Sequence, residues 1–222
     1  MPALASPPPD AVAALADRVE RAASGPSRFL LGIAGSPGSG KTTLAAALVA
    51  ELNTRRPDTT AALPMDGFHL ANATLDRLGR HGRKGAIDTF DGWGLLALLR
   101  RVRAETGHTV FAPSFRREVD EGVAGEIAIE PGVRVVVVEG NYLLVDDGPW
   151  ALVGDALDEA WFCATPPGAR EQRLIERHTR HGRTIEAATA WAREVDGVNA
   201  ALIEATRTRA DLVVSGETGA VA

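Results

Sequence analysis

Nine consecutive residues carry the densest chemistry in the chain: Gly35, Ser36, Pro37, Gly38, Ser39, Gly40, Lys41, Thr42 and Thr43. They meet every defined position of the spacing G-x-x-x-x-G-K-[ST]. Glycine adopts positive φ without steric cost and has no side chain to obstruct a ligand. Such a loop turns its main-chain N–H groups inward around anionic oxygens, and the helix that follows adds its positive end. Lys41 would set an ammonium against the β- and γ-phosphates of a nucleotide, and Thr42 would offer its hydroxyl to Mg²⁺. The bland alternative is a glycine-rich turn that binds nothing. An apolar strand before the loop and a helix-forming run after it favour phosphate binding.

Two acids could complete such a site. Asp66 ends the run Leu-Pro-Met-Asp and precedes Gly67. Opposite a γ-phosphate it would take the proton of an attacking hydroxyl as a general base; an ordinary Asp-Gly turn is the alternative. His69 either touches the acceptor or packs beside the loop and caps the next helix. Glu139 follows four valines. It holds Mg²⁺ directly or through water, or else it only ends its strand in solvent. Tyr142 is expected to face the same cleft.

These residues act together only if their segments meet at one edge of the fold. Residues 29–35, 59–66, 133–140, 158–165 and 211–215 read as strands, and 108–113 and 125–130 as peripheral ones. The five valines of 133–140 imply burial on both faces, as in a parallel sheet. Helices are expected from an N-cap at Asp10 to a stop at Gly25-Pro26, then over 42–52, 70–78, 93–103 and 169–179. Another runs from a cap at Thr184 to about 210, broken near Asp196-Gly197. Trp93, Trp161 and Trp191 are expected in the core. Strands alternate with helices, so the class is α/β with a mostly parallel sheet, and ligands of such sheets sit at the carboxyl ends of the strands. Residues 1–27 form a tail, ending near Asp10, and a helix; 28–222 form one domain without repeats.

The chain has 222 residues, 45% of them hydrophobic, enough for a full core. Its net charge of −5 makes neither nucleic acid nor an anionic membrane an expected partner. The one cysteine, Cys163, allows no internal disulfide and fits the reducing cytoplasm as an inert apolar residue. No apolar run approaches the roughly 20 residues that span a bilayer, and the N-terminus does not read as a secretion signal.

The loop, Met65-Asp66-Gly67-Phe68-His69, the segment 84–91 (Lys-Gly-Ala-Ile-Asp-Thr-Phe-Asp) and the segment 135–144 (Val-Val-Val-Val-Glu-Gly-Asn-Tyr-Leu-Leu) occur in this order. The combination resembles the phosphoribulokinase/uridine kinase family, which includes type I pantothenate kinase, over residues 29–215. The resemblance implies a three-layer P-loop fold of the nucleoside-kinase kind, its sheet flanked by helices, with a helical lid at about 168–184. It implies transfer of the ATP γ-phosphate to a hydroxyl of a small metabolite, a nucleoside, pantothenate-like or sugar-like acceptor, with ATP and Mg²⁺ as cofactors. Asp66 matches the family's catalytic aspartate, and Glu139 the acid of its Val-Glu-Gly segment. The arginine-rich stretch 170–183 looks like the lid, with Arg173, Arg177, Arg180 and Arg183 closing over the phosphates. Asn199 lies where relatives pass near the adenine. Relatives are often dimers or tetramers, so a homodimer belongs with these expectations.

Two arginine clusters carry an alternative each, a solvated face. The lid cluster suits a phosphoryl transfer whose charge needs cations that arrive on closure. The other, Arg77, Arg80, Arg83 and Lys84, would line the acceptor pocket and favour an anionic acceptor. The competing class is a nucleotide-dependent switch. No Asn-Lys-x-Asp segment for guanine and no Leu-Ser-Gly-Gly-Gln segment of an ABC ATPase is present. A member that binds ATP without phosphorylating a metabolite would keep the same motifs.

Overall fold

The computed structural model describes residues 7–221. The tail expected up to Asp10 therefore lies, for residues 1–6, outside the described residues. In chain order the elements are α1 (Pro9–Ala22), β1 (Phe29–Ala34), α2 (Lys41–Arg55), β2 (Thr60–Pro64), α3 (Asn72–Arg77), α4 (Gly92–Ala104), β3 (Val110–Arg116), β4 (Glu121–Ile129), β5 (Val135–Gly140), α5 (Gly148–Asp155), β6 (Glu159–Ala164), α6 (Pro167–Arg180), α7 (Ile185–Trp191), α8 (Gly197–Glu204) and β7 (Leu212–Ser215).

Five strands form one parallel sheet in the order β2-β5-β1-β6-β7. Successive side chains of a strand point to opposite faces, and here both faces are covered. Val136 and Val138 join Leu30, Phe162 and Leu99 in one apolar cluster, while Val135 and Val137 join Leu31, Ile33, Trp161 and Leu44 in the other. That is the burial an uninterrupted valine run requires. The register sets the site. Ala34 of β1 lies beside Gly140 of β5, and Pro64 of β2 beside Glu139, so the chain leaves β1, β2 and β5 at one edge. β3 and β4 pair antiparallel in a separate hairpin. No helix among the described residues is long and apolar enough to cross a membrane.

Several local expectations need correction. Asp10 does not cap α1. The helix starts at Pro9 behind Pro8, because the fixed φ of proline suits a first turn; Asp10 instead places its carboxylate near the positive end. α2 continues to Arg55, whose guanidinium bonds Asp17 and Glu20 of α1 and Glu51 one turn back. Trp93 is 61% exposed, since it shares the outer face of α4 with the exposed Ala97 and Arg100, away from the face formed by Leu95, Leu96, Leu99 and Val102. Trp161 is fully buried, as expected. Trp191 is half-buried, with the Arg183 guanidinium 4.0 Å over its ring. Thr184 caps α7 by accepting from the Ala187 N–H. The expected break is a π turn, Ala192–Asp196, and helix ends at Glu204 rather than near 210.

Candidate active site

The loop after β1 is held from behind. Gly38 and Gly40 take left-handed φ of 77° and 95°. A Cβ on Gly38 would stand 2.9 Å from the Arg170 carbonyl oxygen, and one on Gly40 2.8 Å from that of Gly216. The Ser39 carbonyl accepts from Thr165 Oγ1 at 2.7 Å, and Arg173 donates to the Gly38 carbonyl at 3.2 Å. Ser36 Oγ donates to Glu204 at 2.6 Å. With these groups fastened behind the loop, α2 begins at Lys41 behind Gly40, without any side-chain cap. The first N–H groups of a 15-residue helix are thus open to a ligand. Ser39 Oγ is buried without a partner. A loop so constrained, with open donors and an orphan hydroxyl, fits a phosphate group. Cys163 lies against the same loop at 3.4 Å from the Ser39 carbonyl, and burial pushes its thiol up to about 11, which leaves it unreactive.

Glu139, at the exit of β5, is 6% exposed and accepts from Thr42 Oγ1 at 3.2 Å. This pair of oxygens fits a hard cation such as Mg²⁺. Among the described residues no three His, Cys, Asp or Glu side chains gather as a metal site, so such a cation would complete its shell with phosphate oxygens and water. Burial raises the Glu139 carboxyl to about 7, against the opposing pull of the Lys41 ammonium. Its folded pKa therefore lies above its unfolded one, and the native chain binds the extra proton between about 4.5 and 7. Stability of the ligand-free protein should fall as pH rises through that window. Denaturant midpoints across it should show the slope in the wild type and lose it in Glu139→Gln; an unchanged slope in the variant would assign it elsewhere.

Asp66 lies just beyond β2, in the 3-10 turn Met65–Phe68, and is half-buried. Its carboxylate has no hydrogen-bond or ion-pair partner among the described residues. His69 Nδ1 lies 2.8 Å from the Asp66 carbonyl oxygen, and the ring sits 4.0 Å from Phe90 and 4.6 Å from Phe115. Burial lowers its pKa. Of its two expected roles, the geometry displays the packing one.

A cleft of about 700 Å³ opens beside the loop, lined by Lys41, Thr42, Thr43, Arg117, Arg173 and Arg177 among others. Arg180 also lines it. Burial lowers the pKa of Arg177, while Asp196 and Asp66 pull it back up, so Arg177 lies in the field of Asp66. α6 thus brings its arginines onto the phosphate loop.

Other nominated residues are not brought there. Tyr142 is fully buried, packs against Phe90 and Trp150, and donates to the Gly85 carbonyl at 2.7 Å; it does not face the cleft. The strand exit turns it into the core, where its hydroxyl needed a partner. Asn199 is 8% exposed and donates to the same carbonyl at 3.4 Å, which ties it to the 79–92 loop rather than to a base-binding surface. Arg80 and Arg83 both pair with Asp88, and Lys84 with Asp120 and Asn72. Arg80 and Arg83 thus share one carboxylate, Lys84 takes another, and none of them lines the cleft beside the loop. Two residues went unnoticed in the sequence. Arg117 reaches the cleft from the turn between β3 and β4, and Asn141 Oδ1 is buried without a partner just after Gly140. Nothing in the string distinguished Arg117 from Arg116.

No family model matches the chain. Individual proteins do. A protein of Schizosaccharomyces pombe named provisionally as a uridine kinase is 32% identical over 194 residues, 84% of this chain and 83% of the relative. The ATP-dependent kinase-like protein notR' of Aspergillus versicolor is 36% identical over 161 residues, 68% of this chain and 94% of the relative. Among solved structures, one from Silicibacter named provisionally as a fructose transport system kinase is 38% identical with a TM-score of 0.84, covering 91% of this chain and 98% of its own.

Proposed function

The chain belongs to the uridine-kinase-like P-loop kinases, and from that premise we propose that it transfers the ATP γ-phosphate to a hydroxyl of a small metabolite, with Asp66 as general base. The observation that carries this reading is the register of the sheet: the glycine loop, Asp66 and Glu139 leave adjacent strands at one edge. The names of its relatives support an ATP-dependent kinase and differ over the acceptor.

In this reading the loop amides and Lys41 bind the triphosphate, and Thr42 with Glu139 hold Mg²⁺. When bound, ATP supplies the transferable phosphoryl group and Mg²⁺ offsets its charge. Arg173 is already fixed to the loop, so Arg177 and Arg180 of the lid are the side chains free to follow the charge of the transferred group. Asp66 accepts the proton of the incoming hydroxyl on a carboxylate oxygen that carries no other bond. The lid excludes water and so favours the metabolite over hydrolysis.

The test is an acceptor screen with ATP and Mg²⁺, over nucleosides, pantothenate, ketoses, polyols and pentose phosphates, read as ADP released and phosphorylated product. At least one acceptor should raise ADP release well above background hydrolysis and yield product by mass. Nucleotide binding with no product from any acceptor would favour the switch reading instead.

A further inference from the structure

Resting on the reading that Asp66 deprotonates the acceptor, we propose that the acceptor is a small hydroxylated anion, a hydroxy acid or a sugar or polyol phosphate, and that Arg117 binds its charged group. The β3–β4 hairpin lies directly on the turn that carries Asp66. A Cβ on Gly67 would stand 2.3 Å from the Pro113 carbonyl oxygen, and one on Gly122 2.9 Å from that of Gly67, so two glycines permit the approach. Phe115 of β3 packs on His69. Arg117 follows two residues later, at the start of the turn, and lines the cleft with Lys41, Thr42 and Arg177.

The turn is fastened. Lys84 Nζ bonds Asp120 and Asn72, Asn72 Nδ2 donates to the Asp120 carbonyl at 3.1 Å, and the Asn72 N–H donates to Glu121 at 2.9 Å. Arg116 is engaged by Glu126, whereas Arg117 has no ion pair or hydrogen bond among the described residues. Across the cleft Arg177 likewise lacks an anionic partner within bonding distance among the described residues. Two like charges facing one cavity repel, and an anion between or beside them relieves that repulsion. In the proposed reading the triphosphate lies against the loop, Lys41 and Arg173, which line the same cleft. Arg117 instead belongs to the wall that carries Asp66, where the hydroxyl must enter. A guanidinium fork matches a carboxylate or a phosphate with two parallel bonds. Of the cations nominated for this task from sequence, Arg80, Arg83 and Lys84 are already paired, and neither they nor Arg77 line the cleft.

The experiment uses matched acceptors that share the hydroxyls but differ in charge: glycerate against glycerol, pantothenate against its alcohol, and a pentose 5-phosphate against the pentose. The first two pairs test a carboxylate and the third a phosphate. Wild type, Arg117→Gln and Arg117→Lys are assayed for product with ATP and Mg²⁺, and for thermal stabilisation by each acceptor with a non-hydrolysable ATP analogue. In at least one pair the anion should exceed its neutral partner about tenfold or more in kcat/KM. Arg117→Gln should raise KM for that anion about ten- to a hundredfold, leave KM for ATP within about threefold, and be partly rescued by Arg117→Lys. Equal use of both members, or a shift confined to KM for ATP, overturns the proposal. If no pair is turned over, stabilisation by an anion that depends on Arg117 upholds it while phosphoryl transfer to these acceptors fails; absence of that stabilisation overturns it.

Discussion

Asp66→Asn should lower kcat about 10²–10⁴-fold while ATP binding changes little. The substitution is nearly isosteric, and the wild-type carboxylate has no partner among the described residues to lose. The turn around it is built from backbone: the His69 N–H donates to the Asp66 carbonyl, and the hairpin rests on Gly67. Folding should therefore be unaffected, and the change removes only a proton acceptor. A loose phosphoryl transition state needs less help from a base than a tight one, so an effect near the lower bound would indicate late proton transfer. The decisive comparison is single-turnover product formation against nucleotide affinity by thermal shift. Full turnover in the variant would remove Asp66 as the base; parallel loss of ATP binding would make it part of the nucleotide site instead.

Lys41→Ala should abolish stabilisation by ATP and Mg²⁺. A ligand at a hundred times its Kd stabilises a protein by about 2.7 kcal/mol, or about 5–10 °C in Tm for a chain of this size. Lys41 has no ion pair among the described residues, so the ligand-free variant should melt close to the wild type. The ammonium also opposes the upward push of burial on Glu139. Without it Glu139 should hold its proton to still higher pH, which weakens its use as a cation ligand. Loss of the ATP shift at unchanged ligand-free Tm is the expected pair of results. A shift equal to wild type would show that the loop amides suffice, or that the loop is not the phosphate site.

Together with the Arg117 variants, the two substitutions separate what the cleft brings together. In the proposed reading Lys41 acts on the nucleotide and on Glu139, Asp66 on the acceptor hydroxyl, and Arg117 on the acceptor's charge. A common loss in all three would point to a collapsed cleft rather than to three roles.

Much of this was legible as a string of residues because it depends on local rules. The glycine spacing, the apolar run 29–34 and the valines of 135–138 each report a conformation that short-range sterics and burial enforce. From them the α/β class, the phosphate loop and the two acids at strand ends follow. Cys163 as a buried, unreactive residue follows in the same way.

What the string left open concerns side chains whose partners come from elsewhere in the chain. Tyr142 was expected in the cleft, but its hydroxyl found the Gly85 carbonyl, 57 residues away. Asn199 reached that carbonyl across 114 residues. Arg80 and Arg83 both turned to Asp88, a neighbour whose rotamer only the folded loop selects. Arg117 looked equivalent to Arg116 until the hairpin's pleat gave one to Glu126 and the other to the cleft. Periodicity and propensity are properties of neighbours along the chain, so they determine which segments become strands, helices and anion-binding turns. Which charges stay free is settled by contacts between distant segments, through desolvation and pairing, and only the tertiary structure decides those.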